Sequence, residues 1–64
     1  MKLNTRKVKL AWARTEKTAA QLAKVYGCTQ QCMTALLSKT EVTPPTAGRL
    51  ARALGVDVTE IIDD

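Results

Sequence analysis

Two adjacent glutamines, Gln30 and Gln31, follow a short break in the stretch Leu22-Ala-Lys-Val-Tyr-Gly-Cys-Thr-Gln-Gln-Cys-Met33. A glutamine amide presents a donor and an acceptor together, which matches the N6 and N7 edge of adenine in the major groove of a duplex. The methyl group of Ala35, one turn later, suits the thymine methyl. Thr34 and Ser38 fall on the same helical face, and none of these residues is acidic. Other chemistry is poorly supplied. There is no histidine, and Cys28 and Cys32 are the only thiols. A structural zinc needs four ligands, so no metal site is expected. Both cysteines fall within an apolar pattern and read as structural, with Cys28 as a small core residue. No plausible carboxylate pair and no glycine-rich phosphate loop is present, so neither enzyme activity nor a cofactor is expected.

The elements that must position those amides are helical. Strand-like alternation is missing while alanine and leucine are plentiful, so the chain reads as all-α. A first helix is expected from Thr5 to Arg14, with Val8, Ala11, Trp12 and Thr15 at helical spacing, Leu10 beside them and Trp12 in the core. Thr18-Ala-Ala-Gln21 fits a capping box and opens a second helix. Gly27 can take the left-handed conformation that closes it. Thr29 then caps a third helix from Gln30 to Ser38. Two helices joined by a short glycine-containing turn form a helix-turn-helix, here spanning residues 18–38. Ala23 supplies the small residue where the helices nearly touch, while Leu22, Cys28, Met33 and Leu36 should face the core. Pro44 and Pro45 fit the first turn of a fourth helix running to Leu54. Gly48 within it costs about 1 kcal/mol against alanine, unless it permits a close helix contact. Asp57-Val-Thr-Glu60 is a second capping box, expected to open a short fifth helix burying Val58, Ile61 and Ile62.

The 64 residues are expected to form one domain with a thin core. Their charge is divided. Residues 1–56 hold all ten Lys and Arg against Glu16 and Glu41, a net +8, whereas the last eight residues carry −4. A basic body with an acidic tail suits a polyanion partner, with the tail held away from it. Only Trp12 and Tyr26 are aromatic, too few to stack single-stranded bases. No signal peptide or membrane span is visible, so a cytoplasmic location and no membrane partner are expected.

With those residues in place, the chain resembles the Cro and repressor family of small bacterial and phage regulators, the xenobiotic-response-element type. "GCTQQCMTALLSKT" is similar to the recognition segment of lambdoid phage repressors, and "TAGRLARALGVDVTEII" to an ending common in the family. The resemblance runs from about Val8 to Ile62. It implies a five-helix, lambda-repressor-like fold and a transcriptional regulator that binds a double-stranded DNA operator sequence-specifically. It also implies base contacts from Gln30, Gln31, Thr34 and Ala35. Phosphate contacts are expected around Thr18 and Ala19 and at Lys39 and Thr40, with Lys17, Thr29 and Ser38 alongside.

The chain departs from that pattern in three ways. Ala19 stands where many relatives carry a phosphate-clamping glutamine. Glu41 replaces a basic loop, leaving no further base before Arg49. Trp12 and Leu37 occupy positions where some repressors bury an arginine–glutamate pair. Lys2, Arg6, Lys7, Lys17 and Lys24 would have to compensate for the first two. The rival reading is a protein-interaction module, an antitoxin or adaptor, built on the same fold. Pairing is open between a monomer and a homodimer, formed in solution or only on DNA; any pairing is expected around Val56 to Ile62.

Overall fold

The computed structural model describes residues 1–63; Asp64 lies outside the described residues. The described residues form four α-helices: α1 (Thr5–Thr15), α2 (Ala19–Tyr26), α3 (Gln30–Ser38) and α4 (Pro44–Leu54). The expected fifth helix is a single 3-10 turn, Val58–Glu60. Its capping box forms as expected, but the turn stops at Glu60, and Ile62 already bridges to Leu3 of the N-terminal segment. Of its three apolar residues, Ile61 is fully buried, while Val58 and Ile62 are only partly so.

The helix boundaries follow from their caps. The Asn4 side chain accepts the Lys7 amide to start α1. Thr18 Oγ1 accepts the Gln21 amide at 3.2 Å, and Gln21 Oε1 accepts the Thr18 amide at 2.9 Å. At α4 the prolines occupy the first turn, where a missing amide hydrogen costs little. The Thr43 side chain makes no cap bond to the backbone there and instead meets Thr46 Oγ1 at 2.9 Å.

Leu22, Met33, Leu50, Ile61 and Val8 form the fully buried centre, with Ala11, Ala23, Leu36, Leu37, Ala47 and Leu54 around them. No polar or charged residue among those described is buried. Trp12 sits at the edge of this core, not within it. It is half-buried, and its indole N–H donates to the Lys17 carbonyl at 2.8 Å. An indole N–H needs a partner, and the edge supplies one. Cys28 is likewise half-buried against the core, while Cys32 is exposed, which corrects its placement in the apolar pattern. On α1, Leu10 is 57% exposed.

An N-terminal tie was not legible in the sequence. Leu3 is buried, and its amide donates to the Thr40 carbonyl at 2.8 Å. The Val42 amide donates to Met1, the Asn4 amide to Ile61 and the Asp63 amide to Lys2, each at 2.9 Å. Isolated bridges Lys2–Glu41 and Leu3–Ile62 result, so the segment joins the loop before α4 to the chain's end without forming a strand. Asp63 also accepts from Asn4 Nδ2 at 3.2 Å, and Glu60 lies 3.7 Å from Arg14. Asp63 thus lies beside the N-cap of α1 and Glu60 beside its last turn.

Two backbone positions carry opposite costs. Glu16 ends α1 in the left-handed region at φ 57, where a side chain is strained by about 1–2 kcal/mol. Gly48 lies inside α4 with nothing within 4 Å of an added Cβ, so it permits no close contact and only weakens the helix. We therefore expect Glu16→Gly and Gly48→Ala each to stabilise the fold by about 0.5–1 kcal/mol, measured by urea unfolding. A loss of stability in either would contradict this account of those backbones.

The Asp57 carboxylate accepts the Thr59 amide at 2.9 Å and the Thr59 hydroxyl at 2.8 Å. These bonds hold its pKa below the ordinary carboxylate value. A lowered folded-state pKa contributes stability in full above the unfolded value, and that contribution is lost as pH falls through the folded one. The melting temperature of Asp57→Ala should thus lie furthest below that of the parent near neutrality, with the gap closing in acid. A gap that widened in acid would contradict this.

Candidate nucleic-acid interface

The site is built from the turn between α2 and α3 outward. At Gly27 the chain enters the left-handed region with φ 96. The Ala23 carbonyl then accepts two amides, from Gly27 at 2.7 Å and Cys28 at 2.9 Å. Thr29 restarts the helix, its hydroxyl oxygen accepting the Cys32 amide at 3.1 Å. Only Gly27, Cys28 and Thr29 separate the two helices, and Ala23 is buried between them.

This turn gives α3 two unlike faces. Met33, Leu36 and Leu37 are buried. Gln30, Gln31, Thr34, Ala35 and Ser38 are all exposed, so the five positions singled out for their chemistry share a surface. Gln30 and Gln31 occupy the first two helical positions, beside amide hydrogens the helix leaves unpaired. Thr34 is partly committed: its hydroxyl donates to the Gln30 carbonyl at 2.9 Å, leaving only its oxygen's acceptor capacity toward a ligand.

The surrounding residues frame that face. Lys39 follows α3 directly, its amide donating to the Leu36 carbonyl at 3.2 Å, and its side chain is exposed. The Thr40 side chain is exposed while its carbonyl holds Leu3. Thr18 and Thr29 both use their hydroxyl oxygens as cap acceptors, and each retains a proton to donate. Lys17 is exposed and its carbonyl is fixed by Trp12, so its side chain leaves from a defined point just before α2. Ala19 is half-buried and offers no polar group.

One positioning residue had no sequence signal. The Arg49 guanidinium lies 4.6 Å from the centre of the Tyr26 ring and donates to the Tyr26 carbonyl at 3.1 Å. A cation at a helix C-terminus and over an aromatic face is favourable on both counts. Because 23 residues separate the pair, no local spacing reveals it. It fastens α4 to the end of α2 and to the turn that launches α3.

No group of three or more metal-binding side chains occurs among the described residues. No described helix is long and apolar enough to cross a membrane. Comparison of the chain with protein-family models, curated proteins and solved structures gives no match.

Proposed function

We propose that the chain is a sequence-specific, double-stranded DNA-binding transcriptional regulator, a repressor or Cro-like switch protein, with α2 and α3 as its helix-turn-helix. The observation that carries this reading is the exposed, acid-free face of α3, with paired amides at its first turn and a buried opposite face. An α-helix fits the major groove, and such helices read base edges with their N-terminal residues. Gln30 and Gln31 are assigned to base edges, with Ala35 against a thymine methyl and Thr34 as an acceptor. Thr18, Lys17, Thr29, Ser38, Lys39 and Thr40 flank them as phosphate partners. In this reading the fold is lambda-repressor-like with its fifth helix reduced to one turn.

The charge distribution supports the same reading, since residues 1–56 carry +8 and the acidic Glu60 and Asp63 are held against α1 and its cap. Pairing through Val56 to Ile62 has less to work with than the sequence implied. Ile61 is spent in the core, and Val56, Val58 and Ile62 are only partly accessible.

Selection of a binding site from random duplexes tests the proposal directly. Gln30→Ala and Gln31→Ala should each lose about 1–3 kcal/mol of discrimination at one or two base pairs while the fold is retained. Both variants selecting the parent's sequence with undiminished preference would overturn the assignment. Lys39→Ala should weaken binding to all sequences alike and reduce the slope of log affinity against log salt by about 1. An effect restricted to one operator would contradict its role as a phosphate contact.

A further inference from the structure

α2 packs against α4, and a groove between them is lined by Val25, Tyr26, Arg49, Arg52 and Ala53. Part of that lining is apolar. Ala53 is buried, Tyr26 half-buried and Val25 54% exposed, one of two large apolar side chains left in water among the described residues. The rest is cationic. Arg49 and Arg52 are both exposed, and at three residues apart on α4 they are neighbours on its surface, where like charges repel. No carboxylate relieves them: the two ion pairs among the described residues join Glu41 to the N-terminus and Glu60 to Arg14.

The two guanidinium groups are available in different ways. Arg49 donates one N–H to the Tyr26 carbonyl at 3.1 Å and lies over the Tyr26 ring, so it is held in place with its other donors unused. Arg52 is free to move. A planar guanidinium matches a carboxylate through two parallel hydrogen bonds. Two such groups beside exposed apolar surface call for an occupant that carries both carboxylates and a bulky apolar group. Duplex phosphates would meet the arginines but leave Val25 and the ring in water, whereas Arg and Tyr together are enriched at protein interfaces. The volume, about 310 Å³, is at the low end for pockets that enclose a ligand, and the groove is open; it suits side chains presented by a larger partner. A second copy of the chain offers little, because its Asp57, Glu60 and Asp63 already bond within their own fold.

We propose that this groove is a docking surface for an acidic segment of another protein, whose carboxylates pair with Arg49 and Arg52 while an apolar side chain covers Val25 and the Tyr26 ring. No residue of the groove is assigned to bases or phosphates above, so docking here is independent of the DNA reading.

Random peptides displayed on phage and selected against the full chain supply the probe. Selected sequences should carry carboxylates beside a bulky apolar residue. A synthetic copy should shift the amide signals of Val25, Tyr26 and Arg52 and leave those of Gln30 and Gln31 in place. Arg52→Ala and Val25→Ser, both at exposed positions, should each weaken that peptide about tenfold, the scale of one lost interface anchor, with urea unfolding unchanged. Lys9→Ala removes an exposed cation elsewhere and should leave the affinity as it is, which separates docking from general attraction to a basic body. Peptides without carboxylates, shifts confined to another face, or Val25→Ser binding as the parent does would each overturn the proposal. So would the pattern of a phosphate contact, in which no acidic peptide is selected and Arg52→Ala, but not Val25→Ser, weakens a selected duplex. If the parent selects no duplex, the DNA reading fails by itself, and the peptide measurements still decide the groove.

Discussion

The structure depends on the Ala23 carbonyl, which accepts two successive amides where the chain turns left-handed at Gly27. This double acceptance ends α2 at Gly27, leaving only Cys28 and Thr29 before the next helix. Without it, a continuous helix would carry Leu22, Met33 and Leu36 around its circumference. With it, all three reach one core, and the polar residues of α3 are left together on the outside. The partition between packing and surface chemistry in α3 is thus a consequence of one turn.

Contacts distant in sequence hold the fold together at two places, of which the first is at that turn. Arg49 of α4 grips the last carbonyl and the ring of Tyr26. Met1–Asn4 bonds to Thr40 and Val42 on one side and to Ile61 and Asp63 on the other. A chain of this size buries only about 60% of its unfolded surface, so its apolar centre supplies limited stability. Backbone pairing at the N-terminus compensates by burying Leu3 and Val42 and by shortening the effective loop between α3 and α4. The same pairing costs the chain its last helix, because Ile61 and Ile62 leave helical geometry to meet Asn4 and Leu3.

What the sequence revealed and what it hid divide along that line. The boundaries of α2 and α3 were readable because their signals are local: the Thr18–Gln21 box, Gly27 and the Thr29 cap lie within a few residues of what they control. The exposed set on α3 follows from the helical period once those ends are known. The N-terminal tie was hidden because its partners lie about 40 and 60 residues away, and because it is made by backbone groups every residue possesses. Trp12 shows the intermediate case. Its spacing places it toward the core, but its indole N–H drew it to the edge, where the Lys17 carbonyl could be reached. Cys32 shows the converse: an apolar residue type extended the pattern, yet its position in α3 faces outward.

The Trp12–Lys17 bond bears on how the proposed reading works without the glutamine that many repressors of the resembled type carry at the position of Ala19. A clamp at that site would hold a phosphate with a flexible amide. Here the indole fixes the backbone just before α2, and the capping box fixes Thr18 next to it. Two donors then leave a rigid corner, the Lys17 ammonium and the remaining Thr18 hydroxyl proton. An ammonium acts as a point charge with little geometric demand, so rigidity in the backbone substitutes for directionality in the side chain. Orientation on a duplex would come from that corner together with Lys39 beyond the far end of α3. The amides between them would then be free to distinguish bases, which is the division between positioning and reading that groove recognition requires.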